Sequence, residues 1–251
     1  MHESAQVFLD ILLALARIGT AFLMLPLLGR EAISPFARLF LAVPFAYFVV
    51  ATETVGGVGA NWIPLIAKEV AIGMLLGFIW ALPFHALETV GHLVDFQTGL
   101  TFTQTVNPFL GNEAGITATM VSNLFATLFV IAGGLTLLLD TMMTSYVLWP
   151  ALSMRPQLSA AMLGAVLYEH NGLFTLALLF VAPVMIILFL VEFATGVISK
   201  SAQQLGVDQF VLPLKIWLSW VVLLLSLPYV IQQVVGLLPQ LAGISKKALQ
   251  L

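Results

Sequence analysis

The residues best able to do chemistry stand close together in the second quarter of the chain: His85, Glu88, His92 and Asp95. Their spacings of three, four and three residues place all four side chains on one face of a helix. Two histidines and a carboxylate form an acceptable ligand set for zinc, and intramembrane histidines and acids also relay protons. A third interpretation is a polar face that lines a pore or meets a partner.

The pattern favours the polar face over the metal site and the proton relay. The zinc motif HExxH is absent, and no residue marks a fourth ligand position. The residues that follow are polar but uncharged: Gln97, Thr98, Thr101, Thr103, Gln104, Thr105 and Asn107. The predicted polar channel or interface face therefore comprises His85, Glu88, His92, Asp95 and Gln97. We predict no metal ion and no cofactor.

The polar stretch runs into the clearest non-helical segment of the chain, residues 107–115, with the sequence Asn-Pro-Phe-Leu-Gly-Asn-Glu-Ala-Gly. Pro108 biases Asn107 away from the helical region, and the two glycines and Asn112 favour turns. We predict a loop between two hydrophobic segments. It is either an ordinary surface connection or a functional loop, because its apolar pair Phe109–Leu110 is unusual where a loop faces only water.

Signatures of catalysis are absent from the sequence. There is no Cys, and hence no disulfide, thiolate nucleophile or zinc–thiolate site. The phosphate-binding motif GxxxxGK[ST] and the nucleophile motif GxSxG are also absent. We therefore predict no catalytic residues and a protein that is not an enzyme.

The composition indicates the class of protein to which these residues belong. Hydrophobic residues make up 61% of the chain and charged residues 8%, with a mean hydropathy of +1.07. An ordinary soluble domain carries about 25% charged residues. So few charges cannot cover a soluble surface, and a net charge of −3 offers no basic surface to nucleic acid. The composition predicts an integral membrane protein.

Long apolar windows between the charges predict the helices. A membrane-crossing helix needs roughly 20 apolar residues. The windows are 70–87, 114–139, 170–191 and 216–245, with weaker stretches at 7–28 and 39–52. We predict an all-α integral membrane protein of about six to eight hydrophobic, proline-broken helices, packed in a multi-subunit assembly. We expect the first helix to be retained, and residues 1–251 to form a single membrane-embedded domain.

Gly73 and Gly77 form a GxxxG pattern inside the window 70–87, which is typical of close helix packing in membranes. The pattern has little specificity, because a chain with 19 glycines in 251 residues contains about 1.4 such pairs by chance. We predict a helix-packing contact at these two residues.

A set of residues spread from Arg17 to Lys215 resembles a known family in its order and spacing. The set is Arg17, Pro26 and Arg38; Glu69, Gly73 and Gly77; Glu88, Gly91, Asp95, Gln97 and Gly99; Asn107–Pro108; Ser145–Tyr146 and Trp149–Pro150; and Glu192, Gly196, Gln204, Leu205, Pro213 and Lys215. It is similar to the FliR/SctT subunits of the type III secretion export apparatus, which serves bacterial flagella and virulence injectisomes.

The resemblance is closer to one branch of this family. Gly133–Gly134–Leu135 and the Trp149–Pro150 ending look more like the virulence SctT branch than the flagellar FliR branch, which stays the alternative. Residues 201–207 depart from the Arg and Pro-Gln pattern of many relatives. An ion-coupled secondary transporter that uses the His85 to Asp95 face is a less favoured interpretation.

The resemblance implies a structural and gating subunit of a channel through which unfolded protein substrates cross the bacterial inner membrane, within the secretion basal body. It implies a hetero-oligomer with two smaller membrane subunits, SctR/FliP-like and SctS/FliQ-like, and with the SctU/FlhB-like switch subunit. Unfolded secreted proteins would be the substrates, with membrane lipid as a further partner and no nucleic acid.

In this family a loop of the subunit plugs the closed channel, and residues 103–115 match its position. The candidate plug residues are Thr103, Gln104, Thr105, Asn107, Pro108, Phe109, Leu110, Gly111, Asn112 and Glu113. Their types agree with that role, because polar uncharged walls do not trap charged substrate segments and an apolar pair can seal a constriction.

Overall fold

The computed structural model describes residues 2–28, 33–52, 62–100, 115–151, 160–201 and 208–250. These residues form seven α-helices and no strand, which confirms the all-α prediction. The helices are α1 (His2–Met24), α2 (Pro35–Thr52), α3 (Trp62–Thr98), α4 (Ile116–Ile131), α5 (Gly134–Leu148), α6 (Ala160–Ser201) and α7 (Asp208–Gln250). A short 3-10 turn, Pro26–Leu28, follows α1.

Three helices among the described residues are long and apolar enough to cross a membrane: Trp62–Thr98, Phe180–Lys200 and Phe210–Lys246. A fourth span results if the bent pair α4 and α5 is counted as one crossing. The helix over Pro35–Ala51 is apolar but shorter than a span. The lengths and compositions of the helices therefore agree with an all-α membrane protein.

The apolar window 114–139 does not form one continuous helix. Helix α4 ends at Ile131, the N–H of the next residue, Ala132, donates to the Leu128 carbonyl at 2.8 Å, and α5 begins at Gly134. Gly133 between them has φ of +80°. Only glycine adopts this left-handed conformation at little cost, so the break between α4 and α5 falls at this residue.

Several prolines lie inside helices instead of ending them. Pro44 is within α2, Pro83 within α3 and Pro183 within α6. Proline removes one main-chain donor and crowds the preceding turn, but transmembrane helices tolerate this where neighbouring groups satisfy the freed carbonyl. The helices of this chain therefore run longer than the proline positions alone suggest.

The chain divides into two compact units, while the prediction of a single domain stays a prediction. The first unit comprises Met1–Phe84, Gly133–His170 and Leu237–Leu251. The second comprises His85–Ala132 and Asn171–Gly236. Long helices are shared between them, since α3, α6 and α7 each contribute to both.

Close contact between α1 and α3 organises the first unit. A Cβ atom at Gly77 would lie 2.8 Å from the Cα of Ala21, and one at Gly73 would overlap Thr20 and the Arg17 carbonyl. The absence of side chains at both glycines lets the two backbones approach. Gly73 and Gly77 thus lie on the α3 face that packs against α1.

A fully buried ion pair joins the same two helices to α5. The Arg17 guanidinium donates to both Glu69 oxygens, with Nε–Oε2 at 2.6 Å and Nη2–Oε1 at 2.9 Å. It also donates to Ser145 Oγ at 3.0 Å and to the Trp149 carbonyl at 2.8 Å. The Tyr146 ring lies 4.0 Å from the guanidinium carbon. One side chain therefore fixes α1, α3 and the end of α5.

Glu69 also pairs with a second cation, Lys68, so its contacts extend beyond the ion pair with Arg17. Lys68 Nζ lies 2.8 Å from Glu69 Oε1 and donates to the main-chain oxygens of Pro150 (3.1 Å) and Ala151 (2.8 Å). Both Arg17 and Glu69 are completely inaccessible to solvent. Removing either partner would leave a buried charge with fewer partners.

We expect Arg17→Met or Glu69→Met to lower the free energy of unfolding by about 3–5 kcal/mol each, because each leaves the other residue's charge buried and incompletely paired. The double variant Arg17→Met/Glu69→Met should lose clearly less than the sum. Denaturant unfolding of the purified protein in detergent measures these differences.

The exposed ion pair of Lys246 and Asp140 is the matched control. Its Nζ–Oδ2 distance is 2.7 Å, but both side chains are substantially exposed. Asp140→Asn should therefore cost about 0–1 kcal/mol. Additive losses in the Arg17/Glu69 double variant would contradict the assigned coupling.

Candidate functional site

The structure places the four His, Glu and Asp residues of the predicted polar face in two environments. His85, Glu88 and His92 are accessible, with side-chain exposures of 57%, 37% and 45%. His85 Nδ1 lies 3.4 Å from Glu88 Oε2, and His92 Nε2 lies 4.0 Å from Glu88 Oε1. Asp95, by contrast, is 2% exposed. Three members form a surface stripe and the fourth is buried.

The stripe lacks the geometry of a metal centre. Within the described part of the chain, no group of three or more His, Cys, Asp or Glu residues is placed to hold a metal ion. A Glu88 carboxylate between two accessible imidazoles instead makes a polar surface. The arrangement agrees with a face turned towards water or a partner.

Asp95 caps the N-terminus of α4 from another helix. Its Oδ1 accepts the Thr117 N–H and its Oδ2 accepts the Ala118 N–H, both at 3.1 Å. The residue at the helix N-cap is Gly115, which has no side chain to supply an acceptor. Asp95 therefore satisfies two main-chain donors that the helix itself cannot, and its charge is favourable at the positive end of the helix dipole.

Two glycines allow this cap to form. A Cβ at Gly91 would overlap the backbone of Ala118, and a Cβ at Gly115 would overlap the Asp95 carboxylate. Both are buried. The backbones of α3 and the start of α4 are thus in direct contact, and the Asp95 carboxylate forms hydrogen bonds across this contact.

A second polar cluster ties the last turns of α3 to α6 and α7. Gln97 Nε2 donates to Glu192 Oε2 at 2.8 Å, and Lys215 Nζ lies 3.2 Å from Glu192 Oε1. Lys215 also donates to the Gln97 carbonyl at 3.4 Å. Glu192 and Lys215 are not among the predicted site residues. The available signal was their position as charges that interrupt long apolar runs.

Residues 103–114 of the candidate plug, including the Phe109–Leu110 pair, lie outside the described residues. The residues on either side of residues 101–114 are described. Before that segment, Gly99 has φ of +82° and donates its N–H to the Phe96 carbonyl at 3.1 Å, which ends α3. After it, Gly115 is buried at the start of α4. Asp95 and Gln97 therefore lie within ten residues before the candidate plug in the sequence.

The second unit also encloses a partly open apolar cavity of about 140 Å³. Its walls are Leu87, Met120, Val121, Leu124, Phe125, Leu128, Phe180, Trp220, Leu223, Leu224, Leu227 and Val230. No charged side chain lines it, so it offers no acid, base or nucleophile for catalysis.

Long apolar helices joined by a few buried polar contacts define the class of an all-α membrane protein. Comparison with known proteins narrows this class. Residues 8–241 match the family described as Bacterial export proteins, family 1, and the chain belongs to this family.

Individual relatives extend over most of the chain. It is 31% identical over 208 residues to Yop proteins translocation protein T of Yersinia pestis, covering 81% of this chain and 80% of the relative. It is 32% identical over 169 residues to the secretion system apparatus protein SsaT of Salmonella typhimurium, covering 67% and 65%. It is 25% identical over 235 residues to the flagellar biosynthetic protein FliR of Bacillus subtilis, covering 90% and 89%.

Asp95 is buried and Glu88 is exposed, so we expect neutralising Asp95 to cost more folding stability than neutralising Glu88. Asp95→Asn keeps the shape but removes the charge and one acceptor from the α4 terminus. It should lower the free energy of unfolding by about 1–2 kcal/mol. Glu88→Gln should change it by no more than about 0.5 kcal/mol. Thermal and denaturant unfolding in detergent measure both.

Thr117→Val is the matched control beside Asp95. It keeps the main-chain N–H that donates to the carboxylate and removes a buried hydroxyl that has no hydrogen-bond partner in the described part of the chain. It should be close to neutral. A larger loss for Glu88→Gln than for Asp95→Asn would contradict the assignment of Asp95 as the cap.

Proposed function

We propose that the protein is a structural and gating subunit of a type III secretion export apparatus, and that it forms part of the channel through which unfolded proteins cross the bacterial inner membrane. One observation carries this proposal. The match to a Yop translocation protein extends over about four fifths of both chains. The membrane-length helices supply the physical means to line such a channel.

The surface of the long helices supports membership of a larger assembly. In α3, 61% of the apolar window is buried within the chain, against 17% in α6 and 22% in α7. Lipid or other membrane proteins must cover the rest. Glu192 is half exposed on the α6 span, and a carboxylate is costly in hydrocarbon. This part of the surface therefore suits a partner or channel water better than lipid.

We propose as partners the two smaller membrane subunits of the apparatus, SctR/FliP-like and SctS/FliQ-like, and the SctU/FlhB-like switch subunit. The assembly would lie in the inner membrane within the secretion basal body. Unfolded secreted proteins would be its substrates.

The role is structural and not catalytic. Arg17, Glu69, Asp95 and Lys215 are buried charged residues, and each binds groups on a neighbouring helix. Side chains engaged in this way hold helices together and are not free to act as nucleophiles or general bases. The accessible polar groups of His85, Glu88 and His92 form a stripe suited to water or a partner surface.

Residues 103–115 are the proposed gate. The sequence from Thr101 to Gly115 carries one charge, Glu113, and combines Thr, Gln and Asn with several apolar residues, of which Phe109 and Leu110 are adjacent. Polar neutral groups let varied polypeptides pass, and a narrow apolar ring excludes water and ions when no substrate is present. The described residues on either side, Gly99 and Gly115, lie next to the hydrogen-bonded residues Gln97 and Asp95 and the start of α4.

The virulence branch is favoured over the flagellar branch. Identities to the Yersinia and SsaT proteins are 31% and 32%, against 25% to the FliR of Bacillus subtilis and 27% to both the FliR of Caulobacter vibrioides and the SpaR of Salmonella typhimurium. An ion-coupled transporter has less support, because Asp95 accepts two amides of the α4 terminus and is buried, whereas the histidine stripe is accessible.

Deletion of residues 109–113 tests the gate. Assembly should survive, because the contacts of Asp95 and Gln97 lie outside the deletion. The resting complex should become permeable to small ions, because its apolar seal is gone. Ion flux into vesicles that contain the purified complex measures the leak.

The matched control exchanges the two apolar residues, as Phe109→Leu with Leu110→Phe. This change keeps the apolar volume and should leave the resting complex tight. An intact assembly that carries the deletion and still shows unchanged ion flux would remove the gate proposal.

A further inference from the structure

We propose that the apolar cavity of the second unit is a binding site for one alkyl chain of a membrane lipid. The cavity is partly open, has a volume of about 140 Å³ and is lined by residues of α3, α4, α6 and α7. The site requires only that the chain lies in a membrane, so it does not depend on the proposed export function.

The chemistry of the walls excludes water and polar ligands. Among the side chains that line the cavity, only Trp220 carries a polar group, its indole N–H. Water occupies a buried cavity only where two to four polar partners bind it, whereas an apolar cavity of about 150 Å³ stays dry and accepts a benzene-sized ligand. A short hydrocarbon segment is therefore the ligand that suits these walls.

The cavity lies at the depth of the lipid tails. The α7 residues in its wall run from Trp220 to Val230, and the midpoint of the α7 span is at Pro228. At 1.5 Å of rise per residue, these wall residues lie within about 12 Å of the midpoint along the helix axis. A hydrocarbon core of about 30 Å centred on the span reaches about 15 Å to either side. Lipid tails therefore surround the opening of the cavity.

The wall leads from exposed apolar side chains to buried ones. Met120 and Leu124 of α4 are 53% and 38% exposed, and Leu224 of α7 is 63% exposed. Farther inside, Phe125 is 1% and Leu223 is 7% exposed. An alkyl chain that enters from the bilayer thus meets only apolar side chains along this path.

The size of the wall residues favours a lipid tail over a helix of another membrane protein. Helices in membranes approach each other closely at small residues, and this chain does so at Gly73, Gly77 and Gly91. No Gly, Ala, Ser or Thr lines the cavity. Large side chains hold a second helix away from the space between them, whereas a flexible chain of methylene groups can enter it.

The bound alkyl chain completes the packing of the second unit. Side chains around an empty space lose dispersion contacts, because they have no atoms to touch on one side. A hydrocarbon segment restores these contacts to the walls supplied by α4 and α7. The lipid tail is therefore a structural ligand of this unit.

Photolabelling from the lipid tests the site in the full-length protein within its assembly. The assembly is reconstituted in vesicles of phosphatidylethanolamine and phosphatidylglycerol. The vesicles also contain a small fraction of phosphatidylcholine with a diazirine in the middle of one acyl chain. On illumination the diazirine loses N₂, and the resulting carbene inserts into nearby C–H bonds. Mass spectrometry of the digested protein locates the adducts.

Two variants fill the cavity from different helices. Val121 on α4 and Val230 on α7 are buried wall residues, so Val121→Phe and Val230→Phe each place an aromatic ring in the space. Val130→Phe is the matched control. It makes the same change on α4 at a position that is 48% exposed and does not line the cavity.

We expect adducts on the buried wall residues Phe125 and Leu223 in the unchanged assembly. These adducts should be lost in both filling variants, while adducts elsewhere on the assembly remain. Val130→Phe should keep the wall adducts. If one filling variant does not assemble, the other gives the result.

Two outcomes would overturn the proposal. The first is an unchanged assembly that carries adducts elsewhere but none on the wall, because a partner side chain or the walls themselves would then fill the space. The second is persistence of the wall adducts in the filling variants, because the probe would then reach these residues by general loosening and not through the cavity.

Discussion

The start of α4 depends on a carboxylate that its own sequence does not provide. Gly115 offers no cap, and two buried main-chain amides are satisfied only because Asp95 of α3 accepts both. In a chain with 8% charged residues, each buried charge must find its partners inside the protein. The close approach of α3 to the start of α4 follows from this contact.

The first unit meets the same requirement with a different pair. Arg17 and Glu69 form an ion pair that is completely inaccessible to solvent. Arg17 also donates to Ser145 Oγ and to the Trp149 carbonyl. Arg38 follows the same principle by donating to the Leu28 carbonyl at 2.7 Å. Buried pairs of this kind add little net stability over apolar packing, but they penalise any arrangement that leaves one charge alone. They therefore select one arrangement of helices from many that apolar surfaces would allow.

Composition and window length were enough to predict an all-α membrane protein, because those properties depend on the solvent and not on tertiary contacts. The finer structure depended on packing. Helical spacing placed Asp95 on the same face as His85. Spacing gives the direction of a side chain around the helix, but it does not show which element packs against that side chain. Gly91 lets the start of α4 approach Asp95 and not the other three residues of the face. Contacts such as Arg17 with Ser145, 128 residues apart, have no local signal. The break at Gly133 was hidden because a glycine in an apolar run is compatible with a continuous helix.

Residues 103–115 are proposed to gate the export channel, and site-specific cross-linking to a passing substrate tests this proposal most directly. A photoactivatable cross-linker on a single cysteine at Phe109 is activated while an export substrate is stalled in the complex by a folded domain. A cysteine at Leu225, an exposed apolar position on the α7 span, serves as the reference. The account predicts a cross-link to the substrate from Phe109 and none from Leu225. A cross-link from Leu225 with none from Phe109 would contradict it.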